Sequence, residues 1–191
     1  MALINVAQRE IHCKIVYYGT GYCGKTTNLQ YIYGHAPESA HGDLLSIATE
    51  SERTLFFDFL PLDLGTIHGF RVRFQLYTVP GQVLYERTRL AVLNGVDGIV
   101  FVADSSPEKL EENFQSLIEL ETNVRRMGKD LASFPFVMQW NKRDLPGAIS
   151  VATLDRYLNR RQVEAFPAVA LTGEGVFPTL RAICKAVMAR L

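Results

Sequence analysis

The stretch Gly19-Thr20-Gly21-Tyr22-Cys23-Gly24-Lys25-Thr26 fits the pattern G-x-x-x-x-G-K-[ST] at every fixed position. It follows the apolar run Ile15-Val16-Tyr17-Tyr18 and precedes a segment that we predict to be helical over 27–33. A strand, a loop and a helix in this order are the setting in which the pattern forms a phosphate-binding loop. Backbone N–H groups of such a loop converge on a β-phosphate, and the helix N-terminus adds partial positive charge. The stretch therefore predicts that the chain binds a nucleoside triphosphate.

The side chains at the end of this loop have separate expected roles. Lys25 is expected to reach the β- and γ-phosphates, and the Thr26 hydroxyl is expected to ligate Mg²⁺. The residues predicted to contact the nucleotide phosphates form one continuous run, which comprises Gly19, Thr20, Gly21, Tyr22, Cys23, Gly24, Lys25, Thr26 and Thr27.

Length and composition indicate an ordinary globular chain. With 191 residues, of which 48% are apolar and 21% charged, one domain over 1–191 is expected. Lys and Arg together number 20, as do Asp and Glu, so the formal net charge is zero. This balance argues against nucleic acid as a partner and against an anionic membrane surface.

The cysteine pattern and the lack of processing signals favour a cytoplasmic protein. Cys13, Cys23 and Cys184 do not have the spacing of a metal or disulfide site, which suits a reducing compartment. We recognise no signal peptide, myristoylation or prenylation pattern, so no direct membrane anchor is expected. We expect the chain alone to be monomeric.

Strand-like and helix-like segments alternate along the chain, which favours a three-layer α/β fold. The apolar runs 98–103 and 136–140 are typical of strands covered on both faces, whereas the polar region 34–51 predicts a loop. We therefore predict a P-loop NTPase fold, in which a mostly parallel six-stranded sheet with one antiparallel edge strand has helices on both faces. The other predicted elements are strands at 14–18, 55–62, 70–79 and 166–171 and helices at 110–127, 151–158 (N-cap Ser150) and 176–191.

A second motif, Asn141-Lys142-Arg143-Asp144, follows the predicted strand 136–140, at the strand end where α/β sheets bind ligands. The Asp144 carboxylate is able to accept from the N1–H and the exocyclic amino group of guanine, a pair that adenine does not offer. The Asn141 side chain can hydrogen-bond the N7 side of the base or brace the phosphate loop, and the Lys142 stem can lie along the purine face. We call the segment Asn141–Asp144 the base motif. Together with the phosphate loop, it indicates a GTPase.

Three motifs, GTGYCGKT, NKRD and ALTGEGV, resemble those of the Ras-like small GTPases and span essentially the whole chain. Longer runs are similar to one bacterial branch, the gliding-motility and polarity GTPases of the MglA subfamily. These runs are KIVYYG, KTTNLQYIY, ERTLFFDFLPL, LYTVPGQ and GVDGIVFVADS. The resemblance implies a Ras-like G domain that acts as a molecular switch and hydrolyses GTP to GDP and phosphate.

The same resemblance implies partners and a further base contact. A Roadblock/LC7-fold activating protein similar to MglB is expected, together with effectors of polarity or motility. In the segment Val169-Ala170-Leu171, the Ala170 N–H is expected to contact the guanine carbonyl oxygen, with Leu171 beside it.

The switch residues are also assigned through the resemblance. Thr54 is the expected switch I threonine, which senses the γ-phosphate and completes Mg²⁺ coordination; the alternative is an exposed threonine on a strand. The Gly81 N–H is expected to meet the γ-phosphate, and Gln82 to orient the attacking water. Arg53 is the candidate for an internal arginine finger on the β- and γ-phosphates, although it could instead be a surface residue paired with a neighbouring glutamate.

One position departs from the wider family. The second switch has Thr78 where Ras-like GTPases have an aspartate, so Thr78 is expected at most to hold a Mg²⁺-bound water. We expect Asp58 to cap or pair locally rather than substitute, and Asp104 to form a turn that enters a helix. The expected metal ligands are therefore Thr26, Thr54 and, through water, Thr78.

Two other functions remain open from the sequence. A GTP-loaded binding module that recruits effectors with negligible hydrolysis would share the nucleotide motifs, but would not require Gln82 and Arg53. A P-loop nucleotide kinase fits poorly, because Asn141 and Asp144 offer guanine recognition and no Arg-rich lid segment is evident.

Overall fold

The computed structural model describes residues 2–49, 52–81 and 86–191, without the side chains of residues 47–49, 52–56 and 67. Within these residues, one sheet contains β1 Leu3–Asn5, β2 Glu10–Tyr18, β3 Leu45–Thr49, β4 Glu52–Ile67, β5 Phe70–Thr78, β6 Gly98–Asp104, β7 Phe136–Asn141 and β8 Ala165–Pro167. The strand order is β3-β4-β5-β2-β6-β7-β8, and β1 pairs with β2. Strands β5, β2, β6, β7 and β8 are parallel to one another, whereas β1–β2, β3–β4 and β4–β5 are antiparallel pairs.

Helices cover both faces of this sheet. They are α1 Lys25–His35, α2 Glu86–Leu93, α3 Leu110–Arg126, α4 Val151–Leu158 and α5 Val176–Met188. On one face, Leu29 of α1 and Ile183 of α5 belong to one buried core; on the other, Leu117 of α3 and Leu154 of α4 belong to a second. No helix in the described part of the chain is both long and apolar enough to cross a membrane.

The central strand β2 has buried side chains on both faces of the sheet. Cys13, Ile15 and Tyr17 point into the first core, and Val16 and Tyr18 into the second. Alternate side chains of a strand project to opposite faces, so a continuous apolar run serves two helical layers at once. The phosphate loop follows directly from this strand.

The predicted fold class is confirmed, but the sheet is larger than predicted. The predicted loop over 34–51 contains β3, which pairs with β4 so that Leu45 lies opposite Phe59. Short edge strands need only one neighbour and carry weak sequence patterns, and β1 and β3 are both of this kind. In the described residues the sheet therefore has eight strands where six were predicted, and three antiparallel pairs where one antiparallel edge strand was predicted.

Element boundaries differ by a few residues from those predicted. Helix α1 begins at Lys25, because the phosphate loop leads into the helix without a spacer. The last strand ends at Pro167 rather than at 171. Helix α4 matches its prediction, and its predicted N-cap is confirmed, since the Ser150 Oγ accepts from the Thr153 N–H at 3.1 Å. Helix α2 was not predicted.

Candidate nucleotide-binding site

The phosphate loop curves around the ammonium group of Lys25. This residue begins α1 and is 7% exposed, and its Nζ donates to the backbone oxygens of Gly19 at 3.0 Å and Thr20 at 2.6 Å. The positive charge thus lies beside a helix N-terminus, where both favour an anion. Gly19, Thr20 and Cys23 are buried, Gly21, Gly24, Thr26 and Thr27 are half-buried, and Tyr22 is exposed.

Asn141 joins the phosphate loop to the loop after β8. It ends β7 and is 2% exposed; its Nδ2 donates to the Cys23 oxygen at 2.8 Å, and its Oδ1 accepts from the Ala170 N–H at 2.9 Å. Gly24 has a φ of 101°, and a Cβ there would lie 2.1 Å from Asn141 Nδ2, so the close approach requires glycine. Of the two roles left open for Asn141, the brace to the phosphate loop is therefore present.

The other residues expected to bind the base lie beside this brace. Ala170 is buried, and its N–H, for which the resemblance implies a guanine acceptor, donates here to Asn141. Leu171 and Asp144 are exposed. Lys142 is partly exposed and has a φ of 63°, an uncommon conformation for a residue with a side chain.

Lys142 is held by a buried carboxylate. Asp104 ends β6 and is 1% exposed; its Oδ2 lies 2.6 Å from Lys142 Nζ, and its Oδ1 accepts from the N–H and the hydroxyl of Ser106. Burial raises the pKa of Asp104, but the hydrogen bonds from Lys142 and Ser106 outweigh it, so the pKa lies below its ordinary value of 3.8. The predicted turn at Asp104 is confirmed, and the contact with Lys142 was not predicted.

A cluster of oxygens lies where the phosphate loop meets β4 and β5. Asp58 of β4 is 1% exposed, and its Oδ2 accepts from the hydroxyl of Thr26 at 2.6 Å and from that of Thr78 at 2.7 Å. Its Oδ1 accepts from the Ser46 hydroxyl at 2.8 Å. We call Thr26, Asp58 and Thr78 the oxygen cluster.

This cluster contradicts our expectation that Asp58 caps or pairs locally, because its partners Ser46, Thr78 and Thr26 lie 12, 20 and 32 residues away in sequence. The carboxylate comes from the neighbouring strand, and only the pairing of β4 with β5 brings it to Thr78. A possible sequence signal was the lone acid between Phe57 and Phe59, since a charge on a buried strand needs partners.

The described start of the second switch, up to Gly81, lies against the phosphate loop. A Cβ added to Gly81 would lie 2.4 Å from the Cα and the N of Gly21, so the two backbones touch. The Arg89 side chain of α2 is buried; its Nη1 donates to the Pro80 oxygen at 3.3 Å and its Nε to Glu119 Oε1 at 2.7 Å. The start of the second switch is thus tied to α2 and α3.

The structure does not describe the side chains of the three residues predicted to be catalytic. Gln82 is outside the described residues, and Arg53 and Thr54 belong to β4 but their side chains are not described. Their roles stay predictions.

The ends of β2, β6 and β7 meet at one edge of the sheet, because the three strands are parallel neighbours. This topology brings the phosphate loop, Asp104 and the base motif together, in the crevice where such sheets bind nucleotides. A P-loop fold with this base motif is that of a Ras-like GTPase. The protein is such an enzyme and binds GTP and GDP.

Comparisons with known proteins extend this assignment. The model of the ADP-ribosylation factor (Arf) family matches residues 1–187, and the chain belongs to this family. It is 56% identical over 191 residues to the mutual gliding-motility protein MglA of Myxococcus xanthus (strain DK1622), which covers 100% of this chain and 98% of that protein. It is also 29% identical over 134 residues to mouse ADP-ribosylation factor-like protein 4D, which covers 66% of this chain and 63% of that protein. The predicted resemblance to Ras-like GTPases and MglA is confirmed.

Proposed function

We propose that this GTPase is a GTP/GDP switch that controls bacterial cell polarity and gliding or surface motility together with a Roadblock-type activating partner. The observation that carries the proposal is the 56% identity to a protein named for gliding motility. That similarity covers 100% of this chain, so the phosphate loop, both switch segments and the base motif all fall within it.

The phosphates would be held by the phosphate loop from Gly19 to Thr27. Its backbone N–H groups and the N-terminus of α1 favour an anion. Lys25 now donates to two neutral carbonyl oxygens, and a charged phosphate oxygen is a stronger acceptor than either. Transfer of the ammonium from those carbonyls to the β- and γ-phosphates is therefore favourable.

The oxygen cluster fits Mg²⁺, since hydroxyl and carboxylate oxygens are the protein ligands this ion prefers. Thr26 would ligate the ion directly, with Thr54 from switch I as a second ligand. Because the Thr26 hydroxyl donates its proton to Asp58, its lone pairs remain free for a cation. Asp58 and Thr78 would orient metal-bound water, and the Asp58 carboxylate would add negative charge. When bound, the ion neutralises charge that develops on the phosphates during transfer.

Hydrolysis needs a positioned water and positive charge near the γ-phosphate. We assign water orientation to Gln82 and charge stabilisation to Arg53, with the Gly81 N–H as a donor to the γ-phosphate. The water oxygen attacks the γ-phosphorus, and the bond to the β–γ bridging oxygen breaks, which leaves GDP and phosphate. We expect the chain alone to turn over slowly and the activating partner to accelerate hydrolysis.

Guanine would be read by the base motif. The Asp144 carboxylate accepts from N1–H and the 2-amino group, and the Lys142 stem lies along the purine face. The buried Asp104 supports Lys142, and the Asn141 brace holds Ala170 and Leu171 near the base. These assignments favour guanine over adenine because adenine lacks the two donors that Asp144 would accept.

The test is phosphate release from GTP by the purified chain, with and without the Roadblock/LC7-fold protein of the same organism. We expect slow release from the chain alone and a large acceleration by the partner. Lys25→Ala is the control, because it removes the phosphate contact and should abolish release under both conditions. Release that the partner does not change would contradict the proposed activation and would favour an effector-binding module instead.

A further inference from the structure

Three fully buried polar side chains form a hydrogen-bonded chain through the core between α1, β7 and α5. The side-chain amides of Asn28 and Gln139 donate to each other, at 2.8 and 2.9 Å, and Gln139 Nε2 also donates to the Thr179 hydroxyl at 3.1 Å. All three residues are 0% exposed. We call Asn28, Gln139 and Thr179 the buried relay.

Each end of the buried relay reaches a glycine that precedes a helix. Asn28 Nδ2 donates to the Gly24 oxygen at 2.9 Å, and the Thr179 hydroxyl donates to the Gly175 oxygen at 2.6 Å. Gly24 closes the phosphate loop and Gly175 closes the loop that carries Ala170, immediately before α1 and α5. The buried relay thus connects the phosphate-binding segment to the base-binding segment.

Every N–H group and both oxygens of the two amides have a hydrogen-bond partner. Both N–H groups and the oxygen of Asn28 have partners, and so do those of Gln139. A satisfied buried network is rigid and directional, whereas loss of one member leaves the others unpaired. Apolar side chains would fill the same space. What the polar pair adds is therefore the directional geometry of its hydrogen bonds, not packing volume.

We propose that the buried relay is a positioning device, which fixes the base-binding loop relative to the phosphate loop and thereby sets selectivity for guanine. The inference rests on the proposed roles of the two loops. A second connection supports it: two residues further along β7, Asn141 links the Cys23 oxygen to the Ala170 N–H. The buried relay and Asn141 thus connect β7 to the same two loops at two points, which restrains both the distance between the loops and their relative rotation.

The experiment compares the Kd of GDP with that of IDP, which lacks the 2-amino group that Asp144 would accept. It uses the full chain with Mg²⁺ and the variants Asn28→Leu, Gln139→Met and the double variant. For each protein, the urea concentration at the midpoint of unfolding is also measured. Each single variant leaves an unpaired amide, so we expect a lower midpoint, a GDP Kd raised roughly tenfold or more, and a smaller ratio of IDP to GDP Kd.

The double variant separates positioning from stability. Because it leaves no unpaired amide, its midpoint should return toward that of the wild type, while its selectivity stays low. The matched control is Val137→Ala, which opens a cavity on the same face of β7 and should lower the midpoint without changing the ratio of the two Kd values.

Single variants with wild-type selectivity would overturn the inference, as would a double variant that regains both midpoint and selectivity. Should the amide variants not fold, Thr179→Val tests the α5 end alone, because it keeps the side-chain shape and removes both hydrogen bonds; we again expect reduced selectivity, and unchanged selectivity would refute the inference. A wild-type chain that does not prefer GDP to IDP would contradict the base site and not the relay.

Discussion

Asp58 and Thr78 are joined by two hydrogen bonds across the antiparallel strands β4 and β5. The Thr78 hydroxyl donates to the Asp58 carboxylate at 2.7 Å and accepts from the Asp58 N–H at 2.8 Å. Thr26 donates to the same carboxylate oxygen at 2.6 Å, so the pair extends to the phosphate loop. An acid thus lies beside the predicted metal ligand although position 78 itself is not acidic.

Asp58→Asn tests this arrangement, because it keeps the shape and removes the charge. We expect Mg²⁺ to retain bound GDP less strongly, so that the acceleration of GDP release by EDTA falls roughly tenfold or more. GDP dissociation with Mg²⁺ and with EDTA measures this directly. Asp63→Asn is the control, since Asp63 lies on the same strand but faces Arg71. An unchanged EDTA effect in Asp58→Asn would show that Asp58 does not serve the metal.

Arg53→Ala tests the internal arginine finger. Loss of the guanidinium should slow single-turnover GTP hydrolysis by roughly 10³-fold or more in the presence of the activating partner. Arg53→Lys keeps the charge without the planar fork, so an intermediate rate is expected. If Arg53→Ala hydrolyses GTP at the wild-type rate with and without the partner, Arg53 is a surface residue.

Asp144→Asn tests base recognition. Xanthine has an oxygen where guanine has the 2-amino group, and an asparagine N–H is able to donate to it. We expect the preference to move from GTP to xanthosine triphosphate by at least about tenfold, measured by competition binding. Glu108→Gln removes an exposed acid elsewhere and should leave base preference unchanged. Wild-type preference in Asp144→Asn would locate base recognition at other residues.

The ion pair between Asp104 and Lys142 predicts a pH dependence of stability. The pKa of Asp104 is lower in the folded chain than its ordinary value of 3.8, so its stabilising contribution is complete above that pH and is lost as the pH falls through the lowered pKa. Asp104→Asn should unfold with about 2 kcal/mol less free energy at neutral pH, because Lys142 and Ser106 lose a charged acceptor.

Urea unfolding of the wild type and of Asp104→Asn, at pH values from neutral to about pH 3, checks this prediction. The difference in unfolding free energy should be constant at neutral pH and should shrink at the acid end. A difference that does not change with pH would mean that the Asp104 charge adds no stability.

Much of the fold was predictable because its signals are local. The phosphate loop has fixed residues between a strand and a helix, and the runs 98–103 and 136–140 are apolar because both of their faces are buried. Edge strand β3 was missed because its hydrogen bonds come from β4, and its five residues follow a polar segment containing Gly34, Pro37 and Gly42 that favours a loop.

The parts of the candidate site that were missed depend on contacts distant in sequence. Asp58 meets Thr78 across 20 residues, and Asn28 meets Gln139 across 111. None of these four residues belongs to a recognisable motif, and residues of these types are also common on protein surfaces. Only the strand pairing and the packing of α1 on the sheet determine which polar residues meet in the interior.

The most direct test of a guanine-nucleotide pocket built on Lys25 and the base motif is phosphate release by the purified chain with Mg²⁺ and the activating partner, from GTP and from ATP. We predict release from GTP, little from ATP, and none from either with Lys25→Ala. Equal release from the two nucleotides, or release that persists in Lys25→Ala, would contradict this assignment.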